Sequence, residues 1–216
     1  MELTDLLAEL PIERRLALSY APKSARGPIA ALFVLDGRLA RIVSQGREPM
    51  LVQMKLAWWR DRLGEPPEAS DRGDPLLKLF ADWGAARQQL VALVDGWEAL
   101  LSEPPLPDTA IAAYAGGRAK ACGALAQRLG AEPAEAERAG RNWALAELAG
   151  RIGNPDEASR VRDWAGQADW SRPKLTRALR PLLVLHALAA QRKGRGPLLS
   201  GPSDFLCALR VGLFGR

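Results

Sequence analysis

Apolar residues recur at every third or fourth position along nearly the whole chain, and almost every interruption of that rhythm is a proline or a glycine. A period near 3.6 buries one face of a helix and cannot bury one face of a strand, so the pattern restricts the chain to helices. Over 28–44, Ala31, Leu32, Leu35, Leu39, Ile42 and Val43 fall on one stripe. Pro28 is read as the first turn of that helix, where the missing N–H is harmless. Further helices are predicted over 11–20, 49–63, a short piece before Trp83, 86–102, 108–129, 133–151, 156–164, 173–191 and 202–214. Pro181 lies inside one of these runs and is expected to kink or split it. There is no strand-like alternation and no repeat of 20–50 residues. The expected fold class is therefore all-α, a single bundle-like domain over 1–216 with about eight helices. At 216 residues the chain is long enough to bury a core without disulfides or metals.

Charge narrows the function classes. Thirty Lys or Arg face 25 Asp or Glu, a net of +5 without any dense basic run, so no nucleic-acid partner is expected. An anionic membrane surface or a phosphate-rich ligand fits such an excess, as does ordinary solvation of helix faces by arginine. Cys122 and Cys207 stand far apart in apolar stretches and read as unpaired thiols. His186 is the single histidine, too few for a histidine-based zinc site, and reads as a core or boundary residue. Residues 1–20 carry Glu2, Asp5, Glu9 and Glu13, unlike a signal or transit peptide. No uncharged stretch reaches membrane-spanning length. The expected location is cytoplasmic, with peripheral contact at the inner membrane.

One stretch is more specific. Residues 30–63 read AALFVLDGRLARIVSQGREPMLVQMKLAWWRDRL: a helix with a Leu-Phe-x-Leu core, a Gly-Arg-Glu-Pro turn, then a helix ending Leu-Ala-Trp-Trp-Arg-Asp-x-Leu. Downstream come Leu93-Val94-Asp95-Gly96-Trp97-Glu98, a helix with Tyr114 and Gly123, and NWALAELAGR over 142–151. Together these resemble the squalene/phytoene synthase family, well over 12–150 and loosely over 151–216. The resemblance implies an isoprenoid synthase-like helical bundle around a central cavity. In that family two aspartate-rich motifs on facing helices hold Mg²⁺, and Mg²⁺ holds the diphosphates of prenyl substrates. The chemistry demands it: a diphosphate leaving group needs concentrated positive charge, and Mg²⁺ needs hard oxygen ligands.

Here the chain departs from the resemblance. The first motif falls on Ala40, Arg41, Ile42, Val43 and Ser44, and the second near Glu147–Arg151, where Glu147 is the lone acid. Asp36, Asp61 and Glu147 remain as scattered metal-ligand candidates, although a solvated helix face or a local ion pair is the commoner role for acids placed like Asp36 and Asp61. Asp71 and Asp74 have DxxD spacing, but in a Pro/Gly loop where a helix cap is the simpler role. Candidates for the remains of a diphosphate pocket are Arg38, Arg41, Arg118, Lys120, Arg141 and Arg151. Candidates to line a cavity are Phe33, Trp58, Trp97, Tyr114 and Trp143; packing is the commoner role for tryptophan. The chain is also shorter than the enzymes it resembles, mostly toward its C-terminal end. It is similar in these respects to a degenerate branch associated with assembly of respiratory complex I. Three functions follow as expectations. One is a catalytically degenerate binding or assembly protein that needs no cofactor. The others are an active Mg²⁺-dependent prenyl diphosphate transferase with an altered metal site, and a carrier of an apolar isoprenoid or lipid.

Overall fold

Helix α3 (Lys23–Gln45) carries Pro28 in its interior, five residues after its start, so it begins earlier than the sequence pattern predicts. Pro22 occupies the N-cap position. Gly27, which precedes Pro28, has no Cβ to clash with the pyrrolidine ring. The carbonyl of Ser24 loses its helical partner to Pro28, but Ser24 is exposed and water can serve it. The computed structural model describes residues 3–46, 48–66 and 74–215; Asp71 lies outside them.

Before α3 come α1 (Leu3–Glu9) and α2 (Ile12–Ser19), and after it α4 (Pro49–Gly64). A short α5 (Pro75–Lys78) opens on Asp74, whose carboxylate accepts the Leu76 N–H at 2.8 Å, the capping role expected for it. The helix predicted over 86–102 forms as α6 (Ala86–Gln89) and α7 (Val91–Ala99), joined by Leu90 with near-helical dihedrals. Then follow α8 (Asp108–Arg128), α9 (Pro133–Arg151) and α10 (Pro155–Gly166), the last capped by the Asn154 side chain. Residues 170–176 are not helical, and α11 (Arg180–Arg192) starts only after a 3₁₀ turn. Pro181 therefore initiates a helix instead of kinking one, because its fixed φ suits the first turn. Helix α12 (Pro202–Phe214) ends the described chain.

The helices close into a ring through the packed pairs α3–α4, α4–α7, α7–α8, α8–α9, α9–α11, α11–α2 and α2–α3. Close approach of α7 to α8 depends on two glycines. A Cβ at Gly117 would sit 2.2 Å from the carbonyl oxygen of Ala92, and one at Gly96 would sit 3.0 Å from that of Ala113. With α7 and α8 that near, Trp97 and Tyr114 meet edge to face at 4.9 Å. The ring's axis is not open at this level. Phe33, Tyr114, Arg118 and Trp143 are each at most 2% exposed, so large side chains fill it. No described helix is long and apolar enough to cross a membrane.

Candidate functional site

Five helices send side chains to the ring's axis. On α3, α8 and α9 each charged group follows an aromatic ring by one turn: Phe33 then Asp36, Tyr114 then Arg118, Trp143 then Glu147. Side chains three or four residues apart on a helix share a face, so each aromatic lies beneath its charge. Helix α7 adds Trp97 and α2 adds Arg14. Phe33 meets Trp143 edge to face at 5.7 Å.

The charges form a closed square. Arg14 Nη2 lies 2.7 Å from Asp36 Oδ2 and 3.3 Å from Glu147 Oε1. Arg118 Nη2 lies 2.9 Å from Asp36 Oδ2, and Arg118 Nη1 lies 2.6 Å from Glu147 Oε2. Each carboxylate thus touches both guanidiniums. The Trp97 indole donates to Asp36 Oδ1 at 2.9 Å, and Arg14 Nη1 donates to the Phe33 carbonyl at 3.0 Å. The Arg118 guanidinium stacks over Trp143, 4.3 Å from the ring centroid. All four charged side chains are buried, from 1% to 5% exposed. Isolated charges at such depth cost several kcal/mol each, and only mutual pairing with further hydrogen bonds makes them tolerable. Two cations against two anions leave the square neutral.

The local field shows in the protonation equilibria. Burial alone would raise the Glu147 pKa, but the nearby charges of Arg118, Arg14 and Arg151 outweigh it and hold the carboxyl down at about 2. Desolvation works against the Arg118 and Arg14 charges, yet the facing carboxylates push both pKa values above the ordinary arginine value. Burial also raises the Tyr114 hydroxyl, so it stays protonated. Arg151 stands at the rim, half-exposed, and its guanidinium reaches Glu147 Oε1 at 2.6 Å.

The sequence-derived candidates sort themselves by position. Arg118, Asp36 and Glu147 sit in the square, with Arg151 at its mouth. Trp97, Tyr114, Trp143 and Phe33 pack around it. Trp58 stands on the outer surface at 36% exposure, facing away from the axis. Arg38 and Arg41 form a separate cluster: Arg38 pairs with Glu9 and Asp74, both at 2.6 Å, and Arg41 pairs with Glu9 at 2.7 Å. They line a shallow cleft with Lys55 and Trp59. Lys120 and Asp61 are exposed in a groove between α4, α7 and α8, and Arg141 is exposed on α9. Asp36 is buried and doubly paired, not on a solvated face. Arg14 escapes the sequence reading; its one signal is an arginine on the predicted inward side of a short helix.

A family model for squalene/phytoene synthase matches residues 13–161. The chain belongs to the squalene/phytoene synthase family. No curated protein and no solved structure matches it. The matched span runs from α2 into α10 and so contains every member of the square and its rim. Within that family frame, the fit of these residues to Mg²⁺ can be judged from their partners. The facing oxygens of Asp36 and Glu147 already accept from guanidinium groups, and two buried cations stand where a dication would need to approach. A divalent ion needs several free oxygen ligands at short, near-octahedral distances. Among the described residues no group of three or more His, Cys, Asp or Glu is placed to hold a metal ion. The residues present at the axis do not fit Mg²⁺.

Proposed function

We propose that this family member is catalytically degenerate and works as a binding or assembly factor. One observation carries the reading. At the axis of the bundle, the two acids nearest to a metal-binding role are bridged by Arg14 and Arg118 at 2.6–3.3 Å. Those guanidiniums supply in fixed covalent form the positive charge that a diphosphate-handling enzyme draws from Mg²⁺, and the carboxylates neutralise them. Within the square the charges cancel, and the cation at its rim, Arg151, is itself engaged with Glu147 at 2.6 Å, so little positive charge is free to stabilise a departing diphosphate. Phe33, Tyr114 and Trp143 fill the space beside the square, where the family's chemistry would call for an apolar cavity to shelter a carbocation.

The transferase reading needs Asp36, Asp61 and Glu147 to converge, whereas Asp61 stands exposed in a groove lined from α4, α7 and α8. The carrier reading draws no support from the filled axis. The deciding experiment is turnover of farnesyl or geranylgeranyl diphosphate with Mg²⁺, followed by pyrophosphate release. The proposal predicts no release above a heat-denatured control. Robust release that Glu147→Gln abolishes would overturn it. The partner implied by the resemblance, a component of respiratory complex I assembly, belongs to this proposal. Affinity capture of the tagged chain from its host should bring down complex I subunits, and their absence would remove that partner.

A further inference from the structure

Helix α12 is apolar on both sides. Ala208, Val211 and Gly212 face the protein, with buried Asp204 paired to Arg192. Facing outward are Phe205 at 49% exposure, Leu206 at 62%, Leu213 at 58% and Phe214 at 67%, with Leu209 beside them. A helix at a protein surface normally turns polar residues outward, so a continuous outward apolar face marks an interaction surface.

The charge around that face identifies its occupant. Residues 170–216 hold nine Lys or Arg and one Asp, a net of +8. The remaining 169 residues hold 21 Lys or Arg against 24 Asp or Glu, a net of −3. The positive excess of the whole chain therefore resides in this one stretch. Most of it is not neutralised internally: among its described residues, Arg192 is the one cation in an ion pair. Three of the cations adjoin α12. Arg172 and Arg210 line a groove of about 730 Å³ with Trp170, Leu183 and Leu206, and Arg180 Nη1 donates to the Val211 carbonyl beneath the helix. Exposed Phe and Leu beside unpaired arginine is the composition of an interfacial helix, whose apolar face enters the acyl boundary while its cations meet anionic headgroups.

We infer that the α12 face, with the groove between Arg172 and Arg210, docks in the plane of an anionic lipid surface. This goes beyond the proposed function and does not depend on whether the axis supports chemistry. The test is flotation of the full chain with phosphatidylcholine vesicles in which about one third of the lipid is phosphatidylglycerol, against pure phosphatidylcholine vesicles. Three variants accompany it: Arg172→Glu with Arg210→Glu, Leu206→Ser with Leu213→Ser, and Lys120→Glu as a control of equal charge change per site. All alter exposed positions, and circular dichroism checks that each remains folded.

The expected result is capture by the anionic vesicles and little by the neutral ones. Capture should fall roughly tenfold for each paired variant, weaken at high salt, and stay within about twofold for Lys120→Glu. Equal capture by both vesicle types, no capture by either, or unchanged capture of the paired variants would overturn the inference. So would a concentration-dependent dimer that Leu206→Ser with Leu213→Ser dissolves while vesicle capture is absent, since the face would then belong to a second copy.

Discussion

Removing Arg118 should leave Arg14 as the one buried cation between two buried carboxylates, with the half-exposed Arg151 reaching Glu147 from the rim. The side chain is 1% exposed and holds Asp36 at 2.9 Å and Glu147 at 2.6 Å. Breaking a buried pair by deleting one partner costs about 3–5 kcal/mol, because the orphaned charge keeps its desolvation penalty. Arg118→Met keeps much of the apolar stem, so the loss falls mainly on the charge. Against a typical total stability of about 5–15 kcal/mol, the variant should be folded but markedly weakened. Glu147→Leu should cost a similar amount by leaving two guanidiniums to share Asp36. The double variant restores neutrality, since Arg14 and Asp36 remain paired at 2.7 Å. Its cost should therefore undershoot the sum of the single costs by about 2 kcal/mol or more, within the range seen for residues of one network. Urea unfolding followed by tryptophan fluorescence measures all four corners of this cycle, with Trp97 and Trp143 as reporters beside the square. Additivity to within about 0.5 kcal/mol would show that the two side chains do not act as a unit and would refute the reasoning.

Three further outcomes are expected. Acid should destabilise the fold in two stages. Burial, with a contribution from Arg138, depresses the His186 pKa from 6.5 to about 4, so the native state keeps it neutral; that stability is intact above about pH 6.5 and drains away as pH falls toward 4. Glu147, lowered from 4.5 to about 2, gives stability that is lost between those values. His186→Gln should flatten the first stage in pH-dependent melting, and an unchanged slope would contradict this. Gly117→Ala should cost at least about 1–3 kcal/mol through the 2.2 Å approach to Ala92, whereas Gly116→Ala, with open space around it, should be neutral or slightly stabilising. Equal chemical-denaturation midpoints for the two would count against the close α7–α8 packing. Burial pushes the Cys122 thiol up to about 12, while Cys207 is only partly buried. A thiol reagent should label one cysteine in the native chain and both after unfolding.

The fold is legible in the sequence because its signals are local. Helix period, Pro133 and Pro202 at helix starts, and Gly130 at a helix end are properties of neighbouring residues, and those boundaries agree with the structure to within a residue or two. The differences arise where a proline has two permitted places. The pattern puts Pro28 in a first turn, and it sits inside α3, because Gly27 removes the clash that would otherwise stop the helix. The pattern puts Pro181 in an interior, and it sits in a first turn. The central square is only half legible. Asp36, Arg118 and Glu147 each stand out as candidates, and the aromatic-to-charge spacing that aims them inward is present in the sequence. Their mutual pairing is not, since it spans 22, 29, 82 and 133 residues of separation and depends on how α2, α3, α8 and α9 close the ring. Arg14 shares the face of Ala17 and Leu18 on α2 while Arg15 does not, but a short helix with two adjacent arginines gives that spacing little weight until the ring is closed.

Calorimetric titration with Mg²⁺ in the presence of inorganic pyrophosphate probes the bundle axis without requiring a substrate. With Asp36 and Glu147 held by Arg14 and Arg118, the trace after subtraction of a protein-free magnesium–pyrophosphate titration should show no saturable site in the low-millimolar range, and Asp36→Asn should leave it unchanged. A stoichiometric site that Asp36→Asn or Glu147→Gln abolishes would mean that the guanidiniums yield their carboxylates to a metal, and the neutral square would then be a metal site in its resting form.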